Sequence, residues 1–121
     1  MVEILKDGGP VHPYDEHFRF GINKARLLLS ALEVIKEFAA NTDDEGNTTV
    51  RSQSIHDESG AVLQIWVEMH EEFVRSTGET IQRPWLQIRR LPNGRHIGTG
   101  VQKAKAISAL AKELTKWVEH S

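Results

Sequence analysis

Trp85, Gln87 and Arg89 alternate with Leu86 and Ile88. Successive side chains on a strand point to opposite faces, so if Leu86 and Ile88 face a core, the indole, the amide and the guanidinium share the other surface. Trp66, flanked by Gln64, extends this pattern onto a neighbouring strand. An indole beside cations suits unpaired nucleic acid: every base has a π-face, stacking contributes roughly 1–3 kcal/mol per base, and Arg or Lys follows the phosphates. The candidate contact set is Trp66, Arg83, Trp85, Gln87, Arg89, Arg90, Arg95, Lys103 and Lys105. A plainer reading, in which the tryptophans are core or dimer-interface residues, stands beside it. Glu68, His70 and Glu72 follow Trp66 in the same alternation and would repel phosphate, so a bound strand would have to turn away from them.

The Glu-x-His-x-Glu run has the residue types of a metal site. Strand neighbours point in parallel rather than converging, and no further His or Asp stands at ligand spacing, so no metal is expected. His12, His17, His56, His96 and His120 are scattered, with no nucleophile elbow beside them. Gly94, Gly98 and Gly100 lie in NGRHIGTG, which lacks the lysine pattern and the preceding buried parallel strand of a phosphate loop. Neither enzymatic chemistry nor a cofactor is expected from these residues.

Charge distribution supports the nucleic-acid reading better than total charge does. The formal net charge is −2 over 121 residues, which by itself disfavours a polyanion. From Thr80 to Lys112, however, there is no Asp or Glu, and Arg83, Arg89, Arg90, Arg95, Lys103, Lys105 and Lys112 give that window a charge of +7. From Asn41 to Glu79 the balance reverses: nine acids face only Arg51 and Arg75. Such asymmetry marks a polyanion site or a solvated face with chance clustering.

The elements that position these residues follow from periodicity. Residues 1–16 contain Gly8, Gly9, Pro10 and Pro13 without sustained periodicity and read as a loosely ordered arm before a single domain at 17–121. His17–Gly21 reads as a short strand or turn, followed by an amphipathic helix over 22–40 with Asn23 as its N-cap, giving a βα unit at 17–40. Turn-forming residues at 41–47 end it, and the period then changes to two. Strands are expected at 48–56, 61–71, 81–91 and 95–101, the last two joined through Asn93-Gly94, with Pro84 requiring a bulge or an edge position. A second amphipathic helix, 102–119, closes a ββββα core at 48–119. The fold class is α+β: a four-stranded antiparallel curved sheet preceded by a βα unit, with two amphipathic helices packed on one face.

Two segments 79 residues apart align, 17–39 with 96–118. His17 matches His96, Gly21 Gly100, Lys24 Lys103 and Ala25 Ala104, and apolar pairs such as Leu28 with Ile107 and Ile35 with Leu114 follow. Duplication or convergence of two amphipathic helices would produce this match. The shared Gly-x-x-Lys-Ala-[Arg/Lys] start places cations beside unpaired helix N–H groups, which suits an anion, although lysines on a solvated first turn are commonplace.

Other features set the class of molecule. Hydrophobic residues make up 39% and charged residues 26%, and no apolar run is long enough to span a membrane. The first residues lack a secretory pattern, so a cytoplasmic location is expected, nucleoid-associated or in a host cytoplasm if the chain is viral. The absence of cysteine removes disulfides and thiolate chemistry.

The run PWLQIRRLPNGRHIGTGVQKAKAISALAKELTKWVEHS resembles the C-terminal half of the positive cofactor four family of transcriptional coactivators and their bacterial and phage relatives. The likeness rests on an Ile88-Arg89 strand, a polar hairpin, the Gly98–Val101 strand and the closing helix. The plant Whirly proteins share this style of fold. The resemblance implies a curved antiparallel sheet that binds single-stranded DNA, or RNA, and a homodimer formed through helices 22–40 and 102–119. It implicates Trp85, Arg89 and Arg90, with Arg95 and Lys103 at the margin, in transcription, replication or recombination. Thr99 stands where relatives often carry a basic residue, and the minimal fold has no counterpart of the N-terminal βα unit. The expectation is therefore sequence-independent single-strand binding, with a protein-binding or dimerisation module as the alternative.

Overall fold

The stripe between Ile22 and Ala40 forms helix, but in two pieces. The computed structural model describes residues 2–3, 19–20, 22–92 and 94–120, and within them α1 (Ile22–Ser30) and α2 (Leu32–Asn41) meet at Ala31. The C-terminal helix divides the same way: α3 (Val101–Ala109) and α4 (Ala111–Glu119) meet at Leu110. Ala31 has φ −105° and ψ 14°, Leu110 φ −107° and ψ 15°, both well away from helical values. The Ala31 N–H is shared between the carbonyls of Leu27 (3.3 Å) and Leu28 (3.2 Å), and that of Leu110 between Ala106 (3.1 Å) and Ile107 (3.2 Å). Ala31 and Leu110 are themselves 79 residues apart, so the two aligned segments build one broken-helix unit twice. This match of backbone geometry supports duplication over convergence of apolar stripes alone. The bends let α1 pack against α4 and α2 against α3.

A meander of four antiparallel strands, in the order β3-β4-β5-β6, lies under the helices: β3 (Gln53–His56), β4 (Val62–Val74), β5 (Glu79–Leu91) and β6 (Arg95–Gly100). The α+β class and the four-stranded antiparallel sheet are as the periodicity indicates. A separate two-stranded pairing joins β1 (Val2–Glu3) to β2 (Arg19–Phe20). The loosely ordered arm is thus corrected at Val2 and Glu3, while residues 4–18 lie outside the described residues.

Local chemistry accounts for the boundaries that moved. Helix α1 begins at Ile22, so Asn23 lies inside its first turn and is not its cap; Gly21 is outside the described residues. The first meander strand shortens from 48–56 to Gln53–His56 because Thr48 Oγ1 bonds Thr42 Oγ1 (2.8 Å) and accepts the Val50 N–H (3.1 Å), holding that segment as a loop. Asp57 sets the β3–β4 turn by accepting the N–H groups of Ser59 (2.9 Å) and Ala61 (3.0 Å), and Gly60 supplies the φ of 86° that closes it. The β4–β5 ladder runs without a bulge from Val62↔Leu91 to Val74↔Glu79. Pro84 is accommodated instead by position, since β6 pairs with β5 only from Trp85 to Arg90. Asn93 of the β5–β6 hairpin is outside the described residues, and Gly94 there has φ 69°.

Paired residues share a face, so the register divides the sheet cleanly. Leu63, Ile65, Leu86, Ile88 and Ile97 point toward the helices and are buried with Leu28, Ile35, Phe38, Ile107 and Leu114. Each large core side chain of this kind contributes roughly 1.5–3 kcal/mol of burial. Thr99 belongs to this inner set and has no exposure, so it points into the core. No helix among the described residues is long and apolar enough to cross a membrane.

Candidate nucleic-acid interface

The opposite face of the meander carries no helix, and the register arranges its side chains in rows across the strands. One row is Ser54, Gln64, Arg89 and His96; the next holds Trp66, Gln87 and Gly98; a third pairs Glu68 with Trp85 and Gly100; a fourth pairs His70 with Arg83. Trp66, Trp85, Gln87 and Arg89 therefore share one surface, as their alternation indicates.

Each indole already has a partner. Trp66 stacks on His96, ring centroids 6.0 Å apart and planes 11° apart, and Trp85 on His70 at 5.4 Å and 6°. Both tryptophans are half-buried, neither sealed in the core nor fully free. Gly98 and Gly100 make room for Trp85: a Cβ on Gly98 would overlap its Nε1 and lie 2.8 Å from Cδ1, and one on Gly100 would lie 3.1 Å from Cζ3. The two glycines that suggest a phosphate loop in the sequence thus serve as an indole seat.

Gln87 is corrected as a contact residue. Only 2% exposed, it is buried within this aromatic layer, with its Nε2 3.1 Å from His70 Nε2. Its Oε1 is the one buried side-chain polar atom among the described residues without a hydrogen-bond partner. His70 Nε2 also lies 3.1 Å from Glu68 Oε1. A ring nitrogen cannot donate to the carboxylate and accept from the amide at once, so the imidazole tautomer selects between Glu68 and Gln87. The hydrogen bond from His70 holds the Glu68 carboxyl below its usual range, and the Trp66 and Gln87 side chains add to the effect.

The cations divide among several places. Arg89 is exposed on the helix-free face and forms no ion pair among the described residues. Arg83 is on the same face but committed to acids, Glu72 at 3.1 Å and Asp44 at 3.3 Å. Arg90 is corrected outright: it pairs across the ladder with Leu63 on the helix side, and its Nε donates to Asp57 at 3.0 Å. The Arg95 backbone pairs with Arg90, and its side chain lies outside what is described. Lys103 and Lys105 belong to α3 rather than to the sheet. Burial and the neighbouring charge of Lys24 pull the Lys103 pKa down, so these repeat-equivalent lysines sit near each other. The acid-free run of sequence is therefore not one surface; the acid-free part of the helix-free face is the Ser54–Gln64–Arg89–His96 row with Trp66.

A shallow depression opens at the start of β3, where Ser54, Gln64 and Trp66 contribute hydroxyl, amide and indole. A larger cleft of about 660 Å³ lies on the other side, between α1 and the Asp57 turn, and contains Arg26 and Arg90. No group of three or more His, Asp or Glu that could hold a metal ion occurs among the described residues. His96 was the residue least visible in the sequence, because its place beside Trp66 depends on the β5–β6 register across the hairpin. Searches against protein-family models, curated proteins and solved structures return no match.

Proposed function

We propose that the chain binds single-stranded nucleic acid across the helix-free face of its sheet, without sequence preference. The observation that carries this reading is the placement of both Trp66 and Trp85 on a surface that also presents the exposed guanidinium of Arg89, which forms no ion pair among the described residues. A strand crossing along Ser54, Gln64, Arg89 and His96 meets no carboxylate in that row, with Trp66 and its stacked imidazole beside it for base stacking. Glu68 and Glu72 exclude phosphate from the far half of the face, giving the path a direction across the strands rather than along them. Lys103, Lys105 and Arg90 then act outside the contact surface. A role in transcription, replication or recombination, in a cytoplasmic setting, belongs to the same proposal. A homodimer through 22–40 and 102–119 would use the helix surface left after α1 packs on α4 and α2 on α3.

The test is a titration of a fluorescent oligothymidylate. Binding at low salt should weaken with rising salt at a log–log slope of about −0.7 per neutralised phosphate. Flat anisotropy at micromolar protein would favour the protein-binding alternative.

A further inference from the structure

The β4–β5 hairpin extends past the rest of its sheet. Strand β3 pairs with β4 only from Val62 to Ile65, so from Trp66 to Val74 the outer edge of β4 pairs with no strand among the described residues. In an antiparallel pair every second residue turns its N–H and C=O away from its neighbour, and a row of such groups is a template for another strand. The two exposed large hydrophobics among the described residues both lie on this edge strand: Met69 at 41%, whose Sδ packs against Gly46 of the turn after α2, and Phe73 at 63%, beyond that turn. Four residues apart, they share a face, with Glu71 between them. Glu68 and Glu72 stand on the opposite face, and no Lys or Arg occurs from Trp66 to Val74.

We propose that this free edge takes an extended, basic segment of another protein as an added strand. Backbone pairing supplies the affinity in this mode, and the alternation of side chains supplies the specificity. The incoming strand would place apolar residues beside Met69 and Phe73 and cations beside Glu68 and Glu72, so it alternates Lys or Arg with apolar residues. Glu72 bonds Arg83 at 3.1 Å and Glu68 bonds His70, yet an ionised carboxylate has about four acceptor positions and keeps room for an ammonium. A second copy of this chain fits poorly, because pairing 66–74 antiparallel with itself over its full length sets Glu68 opposite Glu72. Phosphate is repelled for the same reason, so this edge stands apart from the Ser54–Gln64–Arg89–His96 row and adjoins the proposed nucleic-acid surface only at Trp66 and Glu68.

The experiment uses the full chain and a capped, fluorescent eight-residue peptide alternating lysine and valine. Saturable anisotropy should be accompanied by slowed amide exchange within 66–74. A peptide of the same sequence, N-methylated on the residues that pair, should bind at least tenfold more weakly. Phe73→Ser on the apolar side of the edge and Glu72→Gln on its acidic side, both at exposed positions outside the core, should each weaken binding threefold or more with unchanged melting. Equal binding of the N-methylated peptide, protection elsewhere, or no binding at millimolar peptide would overturn the proposal. So would a solution dimer of the free protein whose 66–74 amides are already protected, since a second copy would then cover the edge.

Discussion

The indole of Trp85 is held between the imidazole of His70, 5.4 Å away and nearly parallel, and the bare backbone of Gly98 and Gly100. Gly98→Ala should therefore be costly although alanine is the smallest possible addition. Its Cβ would overlap Trp85 Nε1 and press on Gln87 Oε1 at 3.0 Å, forcing the ring off its seat. Overpacking of this kind costs about 1–3 kcal/mol, measurable by urea denaturation, and should shift indole emission to the red. Gly100→Ala, whose Cβ meets Trp85 at 3.1 and 3.4 Å, should cost less. Equal effects at the two positions would show that the seat is not what holds the ring.

Arg89 and Arg90 are sequence neighbours with opposite expected roles. Arg89→Ala should leave melting unchanged, weaken oligothymidylate binding and reduce the salt slope by about 0.7 if it meets one phosphate. Arg90→Ala removes the bonds to Asp57 Oδ2 (3.0 Å) and Ser59 Oγ (3.2 Å), so it should lower the melting temperature by several degrees and leave affinity nearly unchanged. Loss of affinity from Arg90→Ala at a temperature where the fold is intact would place the binding surface on the wrong face.

Much of the fold was legible because two periods dominate the chain. The alternation at Leu63, Ile65 and Val67, and again at Leu86 and Ile88, settles which side of β4 and β5 meets the helices. Interruptions that depend on specific contacts were not legible. Nothing in the side chains of Ala31 or Leu110 announces a bend; each rests on a backbone N–H shared between two carbonyls. Thr48 is a good strand residue by type, yet its hydroxyl bonds Thr42 and Val50 and keeps it out of the sheet. At the candidate site, period two identifies the face of Trp85, Gln87 and Arg89 and also puts Arg90 with Leu86 and Ile88 on the inner side; the charge run, and not the alternation, suggests Arg90 as a contact residue. Exposure was harder still: Gln87 lies on the outer face and is buried there by neighbours from β4 and β6, which local sequence does not specify.

Glu68 opposes phosphate binding from two rows beyond the proposed path, directly across from Trp85. Glu68→Gln keeps an acceptor for His70 while removing the charge, so oligothymidylate affinity at low salt should rise about two- to fivefold, the scale of one solvent-screened charge. The gain should fade as salt increases. Unchanged or weaker binding would mean that the strand does not pass near the third row of the face.

Acid stability should report on the turn that holds Arg90. The Asp57 carboxyl is lowered to about 2, first by the Ser59 hydroxyl at 2.6 Å and then by Arg90. In the unfolded chain an aspartate titrates near ~3.9. Because the folded value is the lower one, the unfolded state takes up this proton first as pH falls. The stabilisation is therefore complete above about pH 4 and is lost as pH drops toward 2. Asp57→Asn should accordingly lower the melting temperature at neutral pH by several degrees, and the gap from the native chain should close across that interval. Thermal scans from pH 6 to pH 2 check this; a gap that stays constant throughout would show that the asparagine acts through turn geometry and that the carboxylate charge contributes nothing.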